Sequence, residues 1–112
     1  MALPRAASGR AVTLDPPDGP LAAQTAALVK ADHFEAIHLV VPEGREIAEH
    51  AVEGPITLFC LEGEARIGLP DGPVTLVAGQ WLYLGGGVPH SVYGARASRL
   101  LLTIVLLAVP DT

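Results

Sequence analysis

Cysteine is nearly absent. Cys60 is the only one in 112 residues, which excludes an intramolecular disulfide framework and points to a reducing compartment. Basic residues are also few: 7 Lys and Arg stand against 12 Asp and Glu, a net charge of −5. The seven are scattered from Arg5 to Arg99 without a cluster, so the electrostatic footprint of a phosphate-backbone binder is missing and no nucleic-acid partner is expected. Long hydrophobic runs are lacking as well. The longest, Leu100 to Val109 with Thr103 inside it, is too short to span a bilayer. The opening MALPRAASGRAV has no apolar stretch of the signal-peptide kind. These absences lead us to expect a soluble, cytoplasmic protein without a membrane partner.

What is present is apolar and heavily punctuated. Half the residues are hydrophobic and 17% are charged, with mean hydropathy +0.42, a composition that excludes disorder. Twelve Gly and 10 Pro exclude a bundle of long helices. The length suits one domain, able to bury roughly 65% of its unfolded surface. Residues 1–20 end in the turn-rich Asp15-Pro16-Pro17-Asp18-Gly19-Pro20 and read as an N-terminal arm or edge segment, leaving 21–112 as the domain proper.

The middle of the chain carries a conflict. LAAQTAALVK and REIAEHAVE have helical propensity, yet the second leaves only nine residues between Gly44 and Gly54, short for a helix without a packed face. Phe34 to Val41 reads as a strand. From Gly54 onward the pattern is β: Ile56 to Leu61 with Glu64 to Leu69 as its hairpin partner across Glu62-Gly63, a Pro70-Asp71-Gly72 turn, then Val74 to Val77, Trp81 to Leu84, His90 to Tyr93 and Arg99 to Val109. Short strands at this spacing suggest a sandwich or barrel. In the last strand Leu100, Leu102, Ile104 and Leu106 share one face and Leu101, Thr103, Val105 and Leu107 the other. An antiparallel strand normally keeps one face wet, so two apolar faces lead us to expect a homodimer.

Two spaced patterns organise the glycines and histidines. Gly44 is followed after five residues by His50, after one by Val52, after three by Ile56 and after six by Gly63; Gly79 is followed after five by Gly85, after one by Gly87 and after two by His90. From about Gly44 to Gly94 the chain resembles the cupin superfamily, whose two motifs have these spacings. The resemblance implies an all-β cupin barrel, a double-stranded β-helix or jelly roll. It also implies that Arg45 to Val52 is a strand with His50 and Val52 on one face, and that Thr25 to Val41 is a strand pair turning near Asp32-His33.

The resemblance carries a metal site over only in part. In metal-binding cupins the first motif supplies two His and a Glu and the second one His. This chain keeps His50 and His90, but has Val52 in place of the second His and Ile56 in place of the Glu; Gly85 stands where proline is usual. Two His without a carboxylate form an incomplete set, since catalytic zinc usually has three protein ligands and the iron facial triad needs a carboxylate. His38 is the best third donor, or else a barrel histidine bonded to backbone or water, and His33 reads as a solvated turn residue. Cys60 reads as a buried, inert core thiol. Ser91 beside His90 points to the opposite face and makes a poor nucleophile–base pair. Gly85-Gly86-Gly87 opens no helix, which argues against a phosphate loop. Trp81 and Tyr83 share a face and read as core before pocket wall.

The expectation is therefore a small cupin of undetermined activity. His50 and His90, with His38 as third candidate, would hold a divalent metal (Zn, Fe, Ni or Mn) beside a small-molecule ligand, with Val52 and Ile56 lining the pocket. The alternative is a metal-free ligand-binding or dimeric scaffold barrel without enzymatic activity.

Overall fold

The computed structural model of the chain describes residues 6–14 and 24–107. Nine strands make up the secondary structure of these residues: β1 (Ala26–Lys30), β2 (Phe34–Val41), β3 (Glu46–His50), β4 (Ile56–Glu62), β5 (Glu64–Gly68), β6 (Val74–Val77), β7 (Trp81–Leu84), β8 (His90–Gly94) and β9 (Ser98–Val105). They form two antiparallel sheets, one ordered β1-β2-β9-β4-β7 and the other β3-β8-β5-β6. The fold is all-β. Residues 1–5 and 15–20 of the expected arm, and the end of the last apolar run beyond 107, lie outside the described residues.

Helical propensity in 45–53 loses to tertiary context. Ile47 packs partly buried against the core from β3, where a free helix of this length would have no partner. The turn near Asp32-His33 joins β1 to β2, closed by Ala31 N donating to Phe34 O, and the two strands pair antiparallel.

The expected hairpin between Ile56–Leu61 and Glu64–Leu69 does not form. β4 belongs to the five-stranded sheet and β5 to the four-stranded one, so Glu62-Gly63 is a corner at which the chain changes sheets. Gly63 makes it possible, with φ of 90° and its Cα against Ala97 O and Ser98, where a side chain would collide. Ser98 Oγ secures the corner by accepting from Glu64 N at 3.0 Å and donating to Arg96 O at 2.7 Å. The Pro70-Asp71-Gly72 turn instead joins β5 to β6, with Gly72 N donating to Leu69 O.

The inward faces of the two sheets meet in one core of Leu39, Val41, Ile56, Leu58, Cys60, Ala65, Ile67, Leu76, Leu84, Val92 and Leu100. The outer faces differ in kind. In the four-stranded sheet one row crosses β3, β8, β5 and β6 as Glu46, Tyr93, Arg66 and Thr75, a polar face of the ordinary sort. Arg66 lies over the Tyr93 ring, 5.6 Å from its centroid. In the five-stranded sheet the equivalent row across β2, β9, β4 and β7 is His38, Leu101, Phe59 and Trp81.

Candidate functional site

His50 and His90 are directly opposite each other in the β3–β8 ladder, and their rings meet with centroids 4.4 Å apart at 55°. Such cross-strand pairs hold Cβ atoms close without any contribution from loops. The β3–β8 register shifts between Ile47 and His50, an irregularity that lets both side chains line the same cavity although they are three residues apart; regular alternation would put them on opposite faces. The loop ahead of His90 is tied to the segment after His50: Gly87 N donates to Val52 O at 2.8 Å, and Gly86 packs against the Glu53 backbone with no room for a Cβ. His90 is buried, 3% exposed, whereas His50 is exposed and stands toward solvent.

Each ring is oriented by its own backbone. Nδ1–H of His50 donates to Ala48 O at 3.2 Å and Nδ1–H of His90 to Val88 O at 3.0 Å. With the proton assigned to Nδ1 in both, each neutral imidazole keeps its lone pair on Nε2. The pair borders a cavity of about 170 Å³ lined by Thr25, Ile37, Leu39, Ile47, Leu58, Val92 and Leu102 besides the two histidines. Thr25 contributes little free polarity, because its Oγ1 donates to Val40 O and accepts from Val40 N. The site is an apolar barrel interior with two imidazoles in its wall.

The other expected site residues lie elsewhere. His38 is fully buried but sits on β2 between Ile37 and Leu39, which line the cavity, so strand alternation turns it to the opposite face. There its Nε2 accepts from Arg99 Nη1 at 3.1 Å, Arg99 Nε pairs with Glu62 Oε1 at 2.8 Å, and Arg99 Nη1 also donates to Leu14 O of the N-terminal segment. Burial, then the Arg99 charge, hold the His38 pKa below its ordinary 6.5, opposed by the Gln24 backbone. His38 Nδ1 nevertheless lacks a hydrogen bond of ordinary geometry. The expectation of His38 as third donor is thus corrected: it belongs to a buried network behind the sheet.

Val52 and Ile56 are not among the cavity-lining residues either. β3 ends at His50, so Val52 does not continue its face and lines a separate groove with Ile104 and Leu107. Ile56, 2% exposed, packs in the core opposite Leu84 and Ile104. Cys60 is completely buried, and burial pushes its thiol pKa up, as an inert core cysteine requires. Ser91 points away from His90 into an outer groove beside Arg66 and Tyr93. Trp81 and Tyr83 are 61% and 58% exposed, which overturns the core reading. The lining residues missed in the sequence had one signal: Val92 and Leu58 lie two residues from His90 and Ile56, on their faces.

Comparison with known proteins bears on the fold. No family model matches the chain, and no curated protein matches it. Solved structures do. A cupin superfamily protein from Desulfitobacterium hafniense is similar over 96% of this chain and 100% of its own, with TM-score 0.76 and 20% identity. An RmlC-like cupin from Shewanella frigidimarina covers 72% of this chain and 73% of its own at TM-score 0.67 and 20% identity. A conserved Streptococcus pyogenes protein of unknown function covers 77% and 75% at TM-score 0.72 and 24% identity. The chain has the fold of the cupins, an RmlC-like all-β barrel, and the likeness extends to architecture alone.

Among the described residues no group of three or more His, Cys, Asp or Glu is placed to hold a metal ion. The two histidines nevertheless suit one as a pair. Ligating histidines characteristically donate the other ring N–H to a carbonyl or carboxylate, and both rings here do so. No helix of the described residues is long and apolar enough to cross a membrane.

Proposed function

We propose that the barrel binds a small, largely apolar molecule carrying an oxygen donor, and that His50 and His90 hold a divalent metal ion at the cavity wall through their Nε2 atoms. The observation that carries this reading is the pair of Nδ1–carbonyl bonds, which fix the tautomer that leaves both Nε2 lone pairs available. When bound, the ion supplies Lewis acidity toward the ligand's oxygen. The chain's own residues do the rest: Ile37, Leu39, Leu58, Val92 and Leu102 exclude water from the apolar part of the ligand, and the cavity of about 170 Å³ limits its size. A donor set of two neutral imidazoles favours zinc, nickel or iron over manganese, which prefers oxygen ligands. With few protein ligands, most coordination positions are left to water and the small molecule.

Calorimetric titration of zinc, nickel or cobalt into the apoprotein tests this. One ion per chain, lost in both His50→Ala and His90→Ala, is the expected result; ion uptake unchanged in either variant contradicts it. The apolar lining and the absence of a third donor among the described residues favour a second reading, a metal-free barrel in which the two Nε2 atoms accept hydrogen bonds from the ligand. That reading is selected if a copurifying small molecule remains bound after chelator treatment.

A further inference from the structure

His38 and Arg99 stand on the outer face of the five-stranded sheet and are nevertheless buried, at 0% and 7% exposure. The N-terminal segment 6–14 meets this sheet at two points: Ala6 N donates to Leu28 O of β1, and Leu14 O accepts from Arg99. One guanidinium nitrogen carries the second tie and one more. Arg99 Nη1 donates to Leu14 O and also to His38 Nε2 at 3.1 Å, while Nε is held by Glu62 Oε1 at 2.8 Å. A terminal guanidinium nitrogen has two protons, so both are used, and the bond to Nε2 requires a neutral imidazole with its proton on Nδ1. The surroundings of that imidazole are otherwise apolar. It faces Ala26 on β1 and Leu101 on β9, and Ala36 and Val40 continue its own face of β2. Among the described residues the charged side chains it meets are Arg99 of β9, directly, and Glu62 of β4, through Arg99.

We propose that residues 6–14 form an acid-released strap, latched at Leu14 by Arg99 and unlatched when His38 takes up a proton at Nε2. Protonation replaces the acceptor at Nε2 with an N–H donor aimed at Nη1, and sets two like charges against each other where water screens them little. Glu62 holds the Nε end of the guanidinium, so the movement falls on Nη1, and its bond to Leu14 O is lost together with its bond to His38. The other tie among the described residues, Ala6 N to Leu28 O, is a single backbone bond. With the strap docked, burial and then the Arg99 charge keep the His38 pKa below its ordinary 6.5; with the strap away, water reaches the ring and the pKa returns toward that value. The released form therefore takes up the proton more readily. Docking is complete at neutral pH and is lost as pH falls from 6.5 toward the docked pKa. The latch lies on the opposite side of the sheet from His50 and His90 and does not depend on the reading of that site.

The experiment is amide hydrogen exchange of the full chain by NMR between about pH 8 and about pH 5, with the histidine ring nitrogen shifts followed in the same samples. The Ala6 amide, which donates to Leu28 O, reports the strap; the Leu58 amide, in the middle of β4, reports the fold as a whole. Expected is protection of Ala6 that falls by up to about tenfold per pH unit, the limit for one proton, with the midpoint of His38 Nε2 protonation, while Leu58 stays protected. His38→Gln offers Nη1 an amide oxygen that does not titrate, so Ala6 should stay protected at every pH. His33→Gln, in the exposed β1–β2 turn, should keep the pH dependence of the parent. The proposal is overturned if Ala6 is unprotected at neutral pH, if its protection is constant across the range, or if its loss does not track the His38 ring. It is equally overturned if Leu58 loses protection in step with Ala6, or if His38→Gln retains the pH dependence. Should His38→Gln fail to fold, agreement or disagreement of the Ala6 and His38 midpoints in the parent decides by itself.

Discussion

Leu58→Ala probes the meeting of the two sheets at the floor of the cavity. Leu58 is 1% exposed, paired with Leu102 of β9 and Leu82 of β7, and it borders the void beside His50 and His90. The substitution removes three carbon atoms, a transfer loss of about 2.4 kcal/mol at ~0.8 kcal/mol each. An added void of roughly 50–80 Å³ costs a further 1–2 kcal/mol at about 24 cal/mol per Å³. Collapse of neighbours is limited, because Leu58 already faces open space on one side, so we expect a total of about 3.5–4.5 kcal/mol. Equilibrium unfolding in urea reads this as a lowered midpoint with unchanged slope. Val74→Ala, at a position 36% exposed, should cost no more than about 1 kcal/mol. A loss below about 1 kcal/mol for Leu58→Ala would refute its placement between the sheets.

Three further outcomes follow from local geometry. Gly63→Ala should destabilise by about 3 kcal/mol or more, since a positive φ and a collision with Ala97 O and Ser98 coincide at the corner between sheets; thermal melting checks it, and a neutral effect would contradict the corner. Gly85 is not among the positive-φ glycines, and a Cβ there meets only Tyr83 Oη at 4.0 Å. Gly85→Ala should therefore stabilise by about 0.4–1 kcal/mol through the unfolded chain, and an unchanged or lowered Tm would count against it. Finally, the folded His38 pKa lies below 6.5, so below that pH the unfolded chain binds more protons than the folded one. The stabilising effect of keeping His38 neutral is present above pH 6.5 and lost as pH falls through the folded pKa. Urea midpoints measured against pH should fall less steeply in His38→Gln, which keeps an acceptor for Arg99; identical slopes would exclude His38 as the titrating group.

Most of the barrel was legible in the sequence because its signals are local. Pro70-Asp71-Gly72 and the alternation in Arg99–Val109 specify a turn and a two-faced strand from their own chemistry, and β9 runs Ser98–Val105 among the described residues. The resemblance to cupins placed Arg45–Val52 in a strand against its helical propensity, and the strand formed is Glu46–His50. What escaped is long-range. Glu62-Gly63 reads equally well as a hairpin or a corner, and only Ala97 and Ser98, more than thirty residues away, decide between them. Extrapolating strand parity from His50 to Val52 failed because the ladder shifts register and the strand stops. Strand alternation sets His38 on the face of Ala36 and Val40, but alternation alone could not say which face met the barrel. Trp81 and Tyr83 were read as core because large aromatics usually are, and no local feature separates a core face from an exposed one.

The measurement that bears most directly on the site is metal content, by elemental analysis after gel filtration, of the untagged chain together with His50→Ala and His90→Ala. Near one ion per chain, absent from both variants, is the result expected from two imidazoles oriented by Ala48 O and Val88 O. No ion bound even after dialysis against zinc or nickel, or an ion retained in either variant, would contradict it.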